Sequence, residues 1–276
     1  MTSIIIPAHN EENNIANCVT PLLPLFNQLG NEIVVVCNGC TDKTADRVRQ
    51  LDKRITCLET DVPSKSNALN MGDQHANSFP RIFIDADIVI NPATVDALCD
   101  KLSQGYLAAS TRGSTNTEGC EWGVKAFYDI WQRTPYFKEG FMGSGLYAIS
   151  EEGRKRFDVF PDIFADDSFI RCTYNSLERG VTENHFSVVK APKTFLGLIR
   201  VKTRSRLGRY QLRDKLPELS AQETNDYQGA IKKLLPQIHL WPKLFTYVAI
   251  NLITRLRANY FYSTNKHVWE RDESTR

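Results

Sequence analysis

The first hundred residues alternate short β-branched apolar runs with amphipathic stretches. Four runs stand out: Ser3-Ile4-Ile5-Ile6-Pro7, Glu32-Ile33-Val34-Val35-Val36-Cys37, Arg54-Ile55-Thr56-Cys57-Leu58-Glu59 and Arg81-Ile82-Phe83-Ile84-Asp85. Their apolar residues stand at successive positions, as in strands covered on both faces of a parallel sheet. Helix start signals lie between the runs: Thr41 before Asp42, Ser64 before Ala68-Leu69, and Asn91 with Pro92 at the first helical position. A βαβαβ order with right-handed crossovers follows. Pro21 and Pro24 predict that the first helical segment ends or kinks there.

Beyond about Ser110 the pattern loosens. Gly143-Ser144-Gly145-Leu146-Tyr147-Ala148-Ile149 predicts a turn entering a strand, Glu151 to Arg156 a short helix, and Asp166-Asp167 the acidic start of a helix running toward Leu177. Gly113 to Gly119 reads as a loop. From Arg200 the chain is basic, Leu240 to Tyr262 reads as a long apolar helix, and Trp269 to Ser274 as a polar tail. There is no internal repeat and no low-complexity linker.

Ligands of open parallel sheets bind outside the carboxyl ends of the strands. Four polar clusters stand there: Pro7-Ala8-His9-Asn10-Glu11-Glu12, Asn38-Gly39-Cys40-Thr41-Asp42, Asp61 through Lys65, and Asp85-Ala86-Asp87. One cluster is explained by polar loops and helix caps; four at one edge argue for a site. Asp85 and Asp87, two apart at the end of an apolar strand, share a face of the pleat and suit a hard divalent cation held by carboxylates and substrate phosphates. Gly143 and Gly145 let the backbone approach an acceptor, or simply make a tight turn.

Composition narrows the class. The chain has 276 residues, 42% of them hydrophobic and 24% charged, which excludes disorder and small disulfide scaffolds. Its 34 basic and 32 acidic residues leave a net charge of +2, too small an excess for a nucleic-acid binder. Seven cysteines and no secretory apolar core at the N-terminus suggest reduced thiols in the cytoplasm. The apolar run Leu244 to Ile253 is about half of the roughly 20 residues a spanning helix needs.

Five of these segments, in order, resemble the motifs of family 2 glycosyltransferases: Pro7-Ala8-His9-Asn10-Glu11, Val36 through Thr44, Lys65 through Asn70, Asp85-Ala86-Asp87 and Asp166-Asp167. The resemblance implies a GT-A fold, with a Rossmann-like, mostly parallel sheet, flanking helices and a C-terminal helical extension. On that reading residues 1–110 form the nucleotide-sugar-binding half, 111–199 the acceptor-binding and catalytic half, and 200–276 a basic segment and helical tail. It further implies an inverting, Mn²⁺- or Mg²⁺-dependent transferase that uses a nucleoside-diphospho sugar. Pro7, Ala8 and Glu11 would line the nucleotide pocket, Lys65 would lie near the diphosphate, Asp85 near ribose or metal, and Asp87 would be the main metal ligand. Asn38 stands where the family commonly has a uracil-reading Asp, an amide in place of a carboxylate. Asp167 matches the second acid of the family's Glu-Asp pair and would be the base; Asp166 stands in place of the Glu, and with its shorter side chain the two catalytic roles could be exchanged.

Growing diphosphate charge asks for cations, and Arg204 or Arg206 can supply them beside Lys65. The dense basic stretch Arg200, Lys202, Arg204, Arg206, Arg209, Arg213 and Lys215 also reads as a solvated cationic face or as an attraction to anionic lipid. The following apolar helix fits packing on the domain, a homodimer contact or a peripheral membrane contact. Cys37-Asn38-Gly39-Cys40 lacks the further ligands of a zinc site, which leaves a buried strand-end Cys37 and a loop Cys40. The function expected from the resemblance is transfer of a sugar, UDP-linked, to a hydroxyl of a glycan or lipid-linked acceptor. The rivals are a catalytically inactive nucleotide-sugar-binding regulatory module and a sugar nucleotidyltransferase. The latter usually has a glycine-rich, basic loop after its first strand, and here that loop is acidic.

Overall fold

A computed structural model describes residues 1–140, 145–221 and 227–264. Seven strands form a sheet: β1 (Ser3–Ala8), β2 (Glu32–Asn38), β3 (Thr56–Thr60), β4 (Arg81–Ile84), β5 (Ala108–Asn116), β6 (Leu146–Ile149) and β7 (Arg179–Lys190), in the order β3-β2-β1-β4-β6-β5-β7. The helices are α1 (Ile15–Val19), α2 (Thr44–Leu51), α3 (Lys65–His75), α4 (Pro92–Ser103), α5 (Trp122–Trp131), α6 (Pro135–Lys138), α7 (Glu151–Arg154), α8 (Asp166–Thr173), α9 (Phe195–Lys215), α10 (Pro217–Ser220), α11 (Tyr227–Leu234) and α12 (Trp241–Ser263).

The first four strands pair in parallel, and β6 pairs antiparallel with β4 and β5. All six residues of β1 are buried. Ile4, Ile6, Ile33 and Val35 join a core with Ile15, Leu22, Val48 and Leu98 from the helical segments on one face. Val34 and Val36 pack with Ala68 of α3 on the other. The uninterrupted apolar runs follow from this two-sided burial. Gly72 lets α3 settle onto β1, because a Cβ there would meet Ile5 Cγ2 at 2.5 Å.

Local signals hold at three boundaries. Ser64 caps α3 by accepting from the Asn67 N–H at 3.2 Å, and Asn91 caps α4 by accepting from Thr94 at 3.0 Å. At Thr20 the first helix passes into a 3₁₀ segment, Thr20–Asn27, that accommodates Pro21 and Pro24.

Elsewhere the structure corrects the sequence reading. The loop expected over Gly113 to Gly119 is confined to its second part, since β5 runs to Asn116, whose carbonyl accepts from Ala191 N–H at 2.9 Å. β7 has no apolar run to mark it, being half polar with scattered buried positions. α8 stops at Thr173 and not near Leu177, because the Asn175 side chain takes the N–H groups of Leu177 and Glu178 in a local turn. α2 starts at Thr44, where the Asp42 carboxylate accepts its N–H at 3.0 Å. The tail from Trp269 and the glycine Gly143 lie outside the described residues.

The chain divides into two compact units. The first comprises Met1–Gly113, Gly143–Asp162 and Thr173–Val188; the second comprises Ser114–Met142, Ile163–Cys172 and Val189–Arg276. In the second, α12 packs on α5 and α9, burying Leu244, Ile250, Thr254 and Ala258. Its outer side leaves Trp241, Phe245, Val248, Leu252, Leu256 and Tyr260 exposed at intervals of three and four. Among the described residues no helix is long and apolar enough to cross a membrane.

Replacing Gly72 by Ala forces α3 off β1, and the overpacking should cost roughly 1–3 kcal/mol. Equilibrium unfolding in denaturant checks this, with an unchanged midpoint as the contrary result.

Candidate active site

The first unit gathers the polar clusters at the carboxyl ends of β1, β2 and β4. After β1 the backbone turns sharply at Asn10, whose φ of 53° lies in the left-handed region that Asn tolerates better than most residues. Its side-chain oxygen accepts from the Thr41 N–H at 2.8 Å, which ties the loop after β1 to the loop after β2. Glu11 N–H donates to the Thr44 hydroxyl at 2.8 Å, Glu12 N–H to Asp42 at 3.1 Å, and Lys43 N–H to Glu12 at 3.2 Å. Burial works to raise the Asp42 carboxyl, yet the hydrogen bonds from Thr44 and Glu12 hold it below its ordinary value. Asn10, Asp42 and Thr44 are the residues that sequence reasoning left out of the site. The signal was an Asn in a strand-end loop, a residue type favoured where φ turns positive.

Asn38 is buried at 4% exposure and donates through Nδ2 to the Ala8 carbonyl at 2.9 Å. Part of its donor capacity is therefore spent inside the protein, and its side-chain oxygen retains the acceptor chemistry of a carboxylate. The Asn38 carbonyl lies 2.5 Å from His9 Nδ1, which must carry the proton in that bond.

Cys37 is buried with Cys40 and Cys57 packed around it. A hydrogen bond to Cys37 brings the Cys40 thiol down to about 6; burial opposes the shift and contacts to Asn10 and Thr44 add to it. Cys37 is raised in consequence. The seven cysteines are free thiols.

Asp85 and Asp87 do not share a pleat as expected, because β4 ends at Ile84. Ile88 N–H donates to the Asp85 carbonyl at 2.9 Å, so a turn carries the two carboxylates, Asp85 partly buried and Asp87 exposed. Asp85 stays fixed to the sheet by donating its N–H to Gly145 at 2.7 Å. Lys65, the first residue of α3, pairs with Asp85 at 2.7 Å. Gly145 has a φ of +70°, and a Cβ there would meet Asp85 Oδ2 at 2.7 Å, so glycine is what leaves room for this carboxylate. The buried Cys18 thiol is raised by burial first and then by the charges of Asp87, Asp85 and Glu11. A concentrated negative field of hard oxygens fits Mg²⁺ or Mn²⁺, which take one or two protein carboxylates and complete their shell with water and phosphate oxygen. Among the described residues no group of three His, Cys, Asp or Glu converges.

In the second unit, Asp166 and Asp167 open α8, Asp166 buried and Asp167 partly exposed. The chain before them is held by α9: Phe164 N–H donates to Gln211 at 2.9 Å, and a Cβ on Gly208 would meet the Ala165 Cβ at 2.6 Å. Arg204 shares that α9 face, being one turn from Gly208 and two from Gln211. Arg206 stands about 200° around the helix from Arg204 and donates to the Asn251 side chain of α12 at 3.0 Å. The two arginines that the sequence reading offered as alternatives thus lie on different faces of α9.

The model of glycosyl transferase family 2 matches residues 3–150, more than half of the chain. The chain belongs to that family.

It is 31% identical to an uncharacterized glycosyltransferase of Synechocystis sp. over 137 residues, covering 46% of this chain and 43% of that protein. It is also 31% identical over 96 residues to glucosyl-3-phosphoglycerate synthase of Mycobacterium tuberculosis, covering 33% of this chain and 29% of that one. The match therefore spans less than half the length of these curated relatives. Among solved structures, a mannosyltransferase from Pyrobaculum calidifontis in complex with GDP-Man and Mn²⁺ superposes with a TM-score of 0.57 at 22% identity, over 96% of this chain and 79% of that chain. The Mycobacterium tuberculosis synthase with Mn²⁺, UDP-Glc and phosphoglyceric acid gives 0.56 at 18% identity, over 81% of each. At these identities the likeness shows the shared GT-A fold.

Two outcomes test the local chemistry. Iodoacetamide should label Cys40 ahead of the other thiols, its rate rising with pH with a midpoint near 6; mass mapping that shows a midpoint near 9 is the contrary result. Gly145→Ala should displace Asp85 and lower the melting temperature, read by calorimetry.

Proposed function

We propose that this member of glycosyl transferase family 2 transfers a sugar from a nucleoside-diphospho donor, UDP-linked, to a hydroxyl of a glycan or lipid-linked acceptor, with inversion. The turn that presents Asp85 and Asp87 beside Lys65, inside the family-matched segment, carries the reading. Pro7, Ala8 and Glu11 line the nucleotide site, and the acceptor oxygen of Asn38 takes the place of the usual carboxylate toward the base. Asp87, with Asp85, holds Mn²⁺ or Mg²⁺, which when bound offsets charge on the diphosphate. Lys65 and Arg204 add positive charge for the leaving diphosphate. Asp167 takes the acceptor proton as the hydroxyl attacks the anomeric carbon, with Asp166 beside it as the alternative base; Gly145 borders the acceptor. The two carboxylates at α8 favour catalysis over simple nucleotide binding.

Residues 1–110 carry the donor half, 111–199 the acceptor half and 200–276 the basic and helical extension. The free thiols support a cytoplasmic setting. The exposed stripe of α12, with Arg255 and Arg257 beside it, supports a homodimer contact or a peripheral contact with an anionic membrane face.

The test is a thermal-shift titration with UDP, GDP, CDP and dTDP, each with and without Mn²⁺. UDP with Mn²⁺ should stabilise the protein and Asp87→Asn should abolish the shift; no metal-dependent shift with any nucleotide overturns the reading. Asp167→Asn should keep the shift and lose roughly 10²-fold or more in transfer rate, and an unchanged rate would move the base elsewhere.

A further inference from the structure

The second unit contains a cationic cluster that the reaction described above does not use. Lys202 of α9 directs its ammonium over three rings of α5 and its C-terminal end: 4.4 Å from the Trp131 centroid and 5.3 Å from those of Phe127 and Tyr128. Phe127 and Tyr128 are almost fully buried, so these rings belong to the core of the unit. Arg206 and Arg209 follow Lys202 by four and seven residues and share its face of α9.

Among the described residues this charge has no counterpart. The three packed helices α5, α9 and α12 hold eleven basic side chains and two carboxylates, Asp129 and Asp214. Asp129 is engaged by Arg133 at 3.1 Å and Lys243 at 2.8 Å, and Asp214 by Arg213 and Tyr262. Among the described residues, no carboxylate pairs with Lys202 or Arg209. The Arg206 Nε is buried without a hydrogen-bond partner. Burial, with Arg209 and Arg206 adding to it, pushes Lys202 down to about 7. Burial also lowers Arg206, with Arg209 contributing. A cation–π contact offsets only part of such a desolvation cost, and an isolated buried donor is unfavourable in its own right. An arrangement that lowers stability in this way is expected where a ligand supplies the missing charge.

We propose that Lys202, Arg206 and Arg209, backed by the rings of Phe127, Tyr128 and Trp131, form a binding site for the phosphoryl group of a small phosphomonoester. A tetrahedral oxyanion accepts from an ammonium and two guanidinium groups at once, and the rings exclude water from one side while offering a surface to the organic part of the ester. The inference uses only residues of the second unit and does not rest on the glycosyl-transfer reading.

The test follows the melting temperature of the full chain against inorganic phosphate and glycerol phosphate at ionic strength fixed with chloride. Stabilisation by both, stronger for the ester, is the expected result. Lys202→Met and Arg209→Ala should each weaken the apparent affinity at least tenfold, and Lys202→Met should melt no lower than the parent chain without ligand. Circular dichroism checks that the variants fold; if Lys202→Met does not, Arg209→Ala decides, because Arg209 is exposed. No shift beyond that of chloride, or equal shifts in the parent and Arg209→Ala, overturns the proposal.

Discussion

From Ser3 to Ala8 every residue of β1 is shut away from solvent, and six of the seven residues of β2 beside it are buried as well. A strand covered on both faces can carry no charge along its length without a large desolvation cost. Polar chemistry is thereby displaced to the strand ends. In parallel strands those ends coincide, so His9 to Glu12, Asn38 to Asp42 and Asp85 to Asp87 emerge along one edge. The location of the candidate site is a consequence of how β1 is buried.

The loops at that edge are cross-tied rather than merely adjacent. Asn10 meets Thr41, Glu11 meets Thr44, and Glu12 meets both Asp42 and Lys43. Each bond satisfies a backbone N–H that the end of a strand or the start of a helix leaves unpaired. A nucleotide entering such a site meets polar groups already held in place, which reduces the ordering cost of binding. Lys65 and the vacant side of Gly145 do the same for Asp85, fixing one carboxylate while Asp87 stays at the surface.

In the second unit α9 does two things at once through its 3.6-residue period. Gly208 and Gln211 brace the entry to α8, where Asp166 and Asp167 stand, while Lys202 turns toward α5 and Arg206 toward α12. A linear reading sees one basic run. Around the helix the same run separates into faces with different neighbours and different chemistry.

The sequence by itself determined the parallel half of the sheet, the caps at Ser64 and Asn91, the break at Pro21 and Pro24, and the family to which the chain belongs. All of these rest on residues near one another in the chain, whose apolar runs and side-chain caps act locally. Sequence reading missed β7 and the end of β5, since strands of mixed polarity are defined by their partners more than by their own residues. Tertiary structure alone decided that Asp85 and Asp87 sit on a turn, that Gly145 makes room for a carboxylate, that Asn38 spends a donor on Ala8, and that Arg204 and Arg206 part company. Each of these depends on atoms brought together from distant segments or on which side of a helix faces a neighbour, and packing is what sets both.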